Sequence, residues 1–246
     1  MPFSFFTKAI ASLPILAIGV VPISSQSPQA VLETHLFPAP ITFHHDPLSN
    51  AIGRIGVLDV ESFVVFGIEI EEQNGEEPKI EGEIPARATL RGALETVLGP
   101  LKYTFEVVSP HLINVYPTGA KSAPNDILNV QVKNFNLSNV SPSNFLSNPP
   151  RYVSSVADAL SRGKPKGCEI GPGLSDRRPG ISLQASNVTL RQAMNLVSTE
   201  SIGEAIEGKS SALGWLYLHD RSPKAGAPAD SWRVHYALDP AKDIRK

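Results

Sequence analysis

The ten residues "ATLRGALETV" at positions 88–97 return, little changed, as "VTLRQAMNLV" at positions 188–197. A chain that writes one amphipathic segment twice needs a fold with two equivalent seats for it. In the first copy Leu90, Ala93, Leu94 and Val97 fall at i, i+3, i+4 and i+7, which is one stripe of an α-helix. Thr89 stands where a hydroxyl can accept from the first free N–H groups of that helix. Gly99-Pro100 ends it, because proline cannot continue the hydrogen-bond ladder. Leu190, Ala193, Met194 and Val197 repeat the stripe behind Thr189. Arg91 and Arg191 fall between the apolar positions, and the spacing points both to water.

Two further segments carry the same spacing. Leu48, Ala51, Ile52 and Ile55 lie in "DPLSNAIGRIG", where Asp46 suits the cap and Pro47 the first helical position. Val153, Val156, Ala157 and Leu160 lie in "RYVSSVADALSRG". Between the helices, "ITFHH", "SFVVFGIEI", "PKIEGEIP", "ILNVQVKNF" and "GISLQAS" read as strands from their β-branched and alternating residues. "LKYTFEVV" with "HLINVYP", and "GWLYLHD" with "WRVHYAL", read as hairpins. The order in each half is strand, helix, strand or loop, strand, helix, hairpin. The fold class expected is α+β: two tandem small modules, each with two short helices packed on a small mixed or antiparallel sheet. In the second half "KPKGCEIGPGLSD" reads as loop, and the repeated helix has room to run on through "STESIGEAIEG".

The N-terminal stretch has one cation, Lys8, then a mostly apolar run from Ala9 to Ile23, then small and polar residues, the layout of a secretory leader. Pro14 interrupts that run, which is short of the roughly 20 residues that span a bilayer, and no later segment is longer, so no stable membrane span is expected in the mature chain. The divisions expected are a signal peptide over 1–30, a first module over 31–120 and a second over 121–246. The leader implies export across the inner membrane, to a periplasmic or outer-membrane-associated location. Residues 31–120 hold 13 acids and 5 bases, whereas residues 121–246 hold 11 acids and 16 bases, so the two halves differ in sign. The net charge of -2 lacks the basic footprint of a nucleic-acid protein. Cys168 is the only cysteine, so no internal disulfide forms.

The residues of the first half carry a family resemblance. A strand ending in small residues, a "TL..AL..vL" helix and then "L.YTF.VV...LINV" resemble the secretin and TonB short N-terminal domain. The matching positions are Ile84, Thr89, Leu90, Ala93, Leu94, Leu98, Leu101, Tyr103, Ile113 and Val115, with Leu48, Ala51 and Ile52 on the module's first helix. The match covers roughly residues 40–117. The second half matches more loosely over 127–238, at Ile181, Leu183, Thr189, Leu190, Ala193, Met194, Trp215 and Tyr217. No secretin barrel, receptor barrel or plug follows the modules in this sequence. The resemblance implies a small periplasmic α+β module with no enzymatic activity and no cofactor. It also implies a protein partner in an outer-membrane secretion, pilus or TonB-linked assembly.

Chemistry-bearing patterns are sparse. His44 and His45 are adjacent on a strand and point to opposite sides, one packed and one solvated, which is no metal-ligand spacing. "LHD" at His219 and Asp220 suggests a hydrolase dyad, yet no Gly-x-Ser-x-Gly elbow supplies a nucleophile; Cys168 is the other candidate for that rival reading. Seven glutamates crowd positions 69–83, in "EIEEQNGEEPKIEGE", with "QNG" as a turn; the stretch reads as a solvated hairpin tip, or as an acidic face for a basic partner, including the second half of the same chain. Glu71, Glu72, Glu76 and Glu77 are therefore candidate partner-binding residues. Trp215 and Trp232 join them, because a hairpin carrying both is a candidate platform for a protein or, in the alternative reading, for cell-wall glycan.

Overall fold

A computed structural model describes residues 29–34, 36–56, 63–162, 168–170, 180–206, 211–223 and 229–236. The leader expected over 1–30 lies, but for its last two residues, outside the described residues. In chain order the elements are α1 (Ala30–Thr34), β1 (Ile41–Pro47), α2 (Leu48–Gly56), β2 (Val65–Glu72), β3 (Lys79–Ile84), α3 (Leu90–Leu98), β4 (Tyr103–Ser109) and β5 (Leu112–Pro117). Then follow β6 (Gln131–Val140), α4 (Pro142–Ser147), α5 (Pro149–Tyr152), α6 (Ser154–Arg162), β7 (Cys168–Ile170), β8 (Ile181–Thr189), α7 (Leu190–Ile206), β9 (Leu213–Asp220) and β10 (Asp230–Tyr236). The class is α+β, as the strand and helix order implies.

The repeated helices form where the spacing places them. Thr89 caps α3 by accepting from the Gly92 N–H at 3.1 Å. Thr189 and Gln192 make a reciprocal box at the start of α7: the Thr189 N–H donates to Gln192 Oε1 at 2.8 Å and the Gln192 N–H to Thr189 Oγ1 at 3.2 Å. α7 does run on through the "STESIGEAI" stretch to Ile206. The apolar stripes of α2 and α3, Leu48, Ala51, Ile52, Ile55, Leu90, Ala93 and Leu94, are fully buried, each large side chain contributing about 1.5–3 kcal/mol.

The start of α2 departs from expectation. β1 continues through Pro47, and the Asp46 carboxylate accepts from the His44 N–H at 3.3 Å and from Arg54 Nη1, in the last turn of α2, at 3.0 Å. The free N–H groups are met from elsewhere: Leu48 donates to the Pro78 carbonyl and Ser49 to Glu77 Oε2, both at 2.9 Å. A carboxylate at a helix N-terminus does what the Asp46 cap was expected to do, with the helix dipole in its favour. His44 and His45 are both exposed; a bulge at His45, with φ 55°, breaks the alternation that would have packed one of them.

The duplication is written into the topology. In the first half β1 pairs antiparallel with β3, while β4-β5-β2 forms a three-stranded sheet with β4 antiparallel and β2 parallel to β5. In the second half β6 pairs antiparallel with β8, and β9-β10-β7 repeats the other sheet, β9 antiparallel and β7 parallel to β10. Cys168, expected in a loop, has its backbone in β7. Its order comes from pairing with β10, a non-local partner that composition does not reveal.

Separate modules would keep their sheets apart; here the two join. β2 pairs in parallel with β9, from Gly67 opposite Trp215 to Glu72 opposite Asp220, giving one six-stranded sheet in the order β4-β5-β2-β9-β10-β7. The physical reason lies in β2: Val64 to Ile68 are buried on both faces, a pattern that suits a central strand and makes an open edge costly. Phe66, Ile68 and Ile70 of β2 face the first half's core with α2 and α3, and Leu216 and Leu218 of β9 complete that core. On the opposite face Trp215 and Tyr217 of β9 pack with Met194 of α7, Phe145 of α4 and Trp232 of β10. The sheet is thus dressed on one side by the helices of the first half and on the other by those of the second.

Candidate functional site

Among the described residues, buried charge gathers at the seam between β2 and β9. Along β2, Phe66, Ile68 and Ile70 point into the first core, so Glu69, one residue out of phase, points to the side covered by the second half. There it meets Arg191. The guanidinium donates from Nη2 to Glu69 Oε2 at 2.5 Å and to Asp126 Oδ2 at 3.1 Å, and from Nη1 to Asn129 Oδ1 at 2.7 Å. It lies 5.5 Å from the centre of the Tyr116 ring. The side chain of Arg191 is 5% exposed, and its Nε has no hydrogen-bond partner among the described residues. The expectation that Arg191 points to water is therefore corrected: the position is polar by helix spacing but lies against the other half of the chain. Arg91, its counterpart in the first copy, does reach the surface, paired with Glu33 at a side-chain exposure of 37%.

Two carboxylates share one cation in this cluster. Burial, reinforced by the neighbouring Asp126, pushes the Glu69 carboxyl up to about 8, against the opposing pull of Arg191. Around it the seam is tight. A Cβ on Gly67 would come within 2.4 Å of the Trp215 ring and 2.5 Å of Asn114 Oδ1, and one on Gly214 within 2.1 Å of the Phe66 carbonyl oxygen. Glycine at both positions is what lets β2 and β9 approach.

The acidic stretch is largely consumed within the chain. Asn74 and Gly75 adopt φ 58° and 78°, a tight turn of the Asn-Gly kind, and Gln73 and Glu76 bond across it. Glu71 pairs with Arg221 of the second half, whose N–H also donates to the Glu72 carbonyl at 3.1 Å. Glu77 holds Ser49 through both its N–H and its hydroxyl, each at 2.9 Å. Glu76 is exposed at the turn. With Gln73, Asn74 and Pro78, the side chains of Glu71, Glu76 and Glu77 line one open concavity. Of the two readings of this stretch, a turn forms at its tip, and Glu69 and Glu71 meet arginines of the second half.

Trp215 and Trp232 are 0% exposed, which corrects their candidacy as binding residues. Trp215 stands opposite Val234 and Tyr217 opposite Trp232, so all four share the face that α7 and α4 cover. The indole N–H of Trp215 donates to Asn195 Oδ1 of α7 at 3.0 Å. Neither ring forms a platform.

Beside them a second polar group forms, which sequence reading pairs wrongly. His219 does not pair with Asp220; Asp230 on β10 takes both the His219 Nδ1 at 2.8 Å and the Tyr217 hydroxyl at 2.5 Å. Asp220 instead accepts from the Ser222 N–H at 2.9 Å. The hydrogen bond to Asp230 raises the His219 pKa above its usual 6.5. Burial, then Asp230, raises that of Tyr217 well above its usual 10, which keeps the phenol protonated. The protonated hydroxyl that Asp230 holds is a poor nucleophile. Antiparallel pairing in a "GWLYLHD" and "DSWRVHY" hairpin is the signal that could have placed Asp230 opposite His219.

Among the described residues no three His, Cys, Asp or Glu side chains gather to hold a metal ion, and no helix is long and apolar enough to cross a membrane. The side chain of Cys168 lies outside the described residues. At the ends of the six-stranded sheet, β4 and β7 carry no further strand among the described residues. On β4, Tyr103, Phe105 and Val107 are only partly covered by the first core, and Val108 is 37% exposed. The chain matches no family model, no curated protein and no solved structure.

Proposed function

We propose that the protein is a non-enzymatic interaction module of a bacterial cell envelope, working through the open edge of its central sheet. The observation that carries this reading is β4. It ends the sheet with its outer backbone groups unpaired by any described strand, and its partly covered aromatic and aliphatic side chains would flank an incoming strand. An extended segment added to such an edge gains backbone hydrogen bonds that tolerate many side chains. The resemblance of residues 40–117 to the secretin and TonB short N-terminal domain supports the setting, an outer-membrane secretion, pilus or TonB-linked assembly. The leader-like N-terminus supports export to the periplasm.

A photo-cross-linking residue at Thr104 on β4 tests the reading in the native envelope. A discrete adduct, lost when lysine replaces Val108 beside it, is the expected result. Uncross-linked monomer alone would overturn the proposal.

A further inference from the structure

From the strand directions we infer that the partner strand which fits β4 is β7 of a second copy of this chain, and that copies add head to tail along the sheet. The inference rests on the reading of the sheet edge as the interaction surface. β5, β2 and β9 run one way and β4, β10 and β7 the other. Turn the first half by half a revolution about the line that crosses its strands in the plane of the sheet. Every strand reverses, the order across the sheet is kept, and the helices move to the opposite face. The result is the second half: β4-β5-β2 becomes β9-β10-β7, with its helices on the other side.

Such an operation does not close on itself. The internal seam joins the β2 type of edge to the β4 type of edge, in parallel, and among the described residues it leaves one of each without a neighbour: β4 at one end and β7 at the other. β4 and β7 run in the same direction, so a second copy shifted along the sheet brings its β4 alongside β7 in the parallel sense of the β2–β9 seam. The contact is heterologous, and repeated it gives an open chain of copies that winds with the twist of the sheet.

The contact between copies is weaker than the internal seam, for reasons visible on β4. Where β9 presents Leu216 and Leu218 to the first core, the corresponding face of β4 presents Thr104 and Glu106, the latter paired with Lys121 at 2.9 Å. A bulge between Val107 and Ser109 shortens the usable edge. The second half also covers the seam with the far end of α7, where Ile202 packs on Val65 and Leu112; α3 ends at Leu98 and is shorter. Assembly is therefore reversible and concentration-dependent.

Sedimentation equilibrium of the purified mature chain tests this. The expected result is an average mass that climbs past two copies as concentration rises towards about 1 mM. T104K/V108K, with circular dichroism unchanged, should remain monomeric, and added to the wild type it should shorten the assemblies, since its β7 still caps a growing end. T104K alone serves if the double variant fails to fold. T104L/E106L should lower the concentration needed by about tenfold or more. A wild-type chain that stays monomeric, or that stops at two copies, overturns the inference, as does assembly by T104L/E106L alone. A cross-link at Thr104 to a different polypeptide, with the purified chain monomeric, would sink this inference and leave the edge-binding reading standing.

Discussion

Arg191 and Glu69, 122 residues apart in the chain, meet at 2.5 Å across the two halves of the protein, and Asp126 closes on the same guanidinium nitrogen at 3.1 Å. Removing the arginine leaves the Asp126 carboxylate without its buried cation and the Glu69 carboxyl without its hydrogen-bond donor. Arg191→Ala should therefore cost about 3–5 kcal/mol in urea unfolding, the range found when one partner of a buried ion pair is deleted. Arg91→Ala at the matching place in the first copy should leave the unfolding midpoint within experimental error, because its pair with Glu33 is solvated. Equal losses at the two positions would contradict the burial difference.

Acid-base titration of the same cluster gives a second expectation. The folded Glu69 carboxyl sits at about 8, above its usual 4.5, so the folded state holds a proton that the unfolded chain releases between those values. Its contribution is fully present below pH 4.5 and is lost as pH rises through 8, giving a falling stability across that window. Glu69→Gln should flatten the fall when chemical unfolding is followed from pH 5 to pH 9. An unchanged slope in the variant would place the proton elsewhere.

The closeness of β2 and β9 makes a third expectation. Gly67→Ala and Gly214→Ala would drive a methyl against the Trp215 ring and the Phe66 carbonyl, at 2.4 and 2.1 Å. Each should destabilise by about 1–3 kcal/mol or more, as overpacking does. Gly99→Ala, whose Cβ would meet nothing within 4 Å, is the control and should fold normally. Thermal melts of the three variants decide it.

His219 provides a fourth. Its hydrogen bond to Asp230 raises the imidazole pKa above 6.5, and Asp230→Asn should bring it down in an NMR titration of the ring protons. Stability from this pair is present below pH 6.5 and fades as pH rises through the raised value. No downward shift in the variant would mean that another group holds the ring.

Much of this architecture is legible in the residues, and what is not has a common cause. The stripes at Leu48–Ile55 and Leu90–Val97 are local patterns, and the helices form on them because each needs only one apolar face. Arg191 is misread for the complementary reason: helix spacing reveals which side of α7 faces its own core, not that Glu69 of the other half waits on a neighbouring side. Two signals could have found it, an acid within the otherwise apolar run of β2 and the opposite charge of the two halves. The unbroken apolar run from Val64 to Ile68 likewise announces a strand covered on both faces, though not its neighbour. β7 and the Glu77 cap depend on pairing between distant segments, which propensity does not carry, whereas Asp230 needs only the register of its own hairpin. Trp215 and Trp232 could be read as platform or core, and only their register settles them as core.

Leu216 and Leu218 belong to the last third of the chain yet finish the core of the first. A growing polypeptide that has released α2, α3 and the β4–β5 hairpin still lacks the strand that seals β2, and roughly a hundred residues must follow before it arrives. Contacts of such long sequence separation form slowly. During that interval the N-terminal part is an unsealed intermediate, exposed to mispairing with any extended segment nearby, and this sequence should rank among those that depend on a holding chaperone until synthesis is complete.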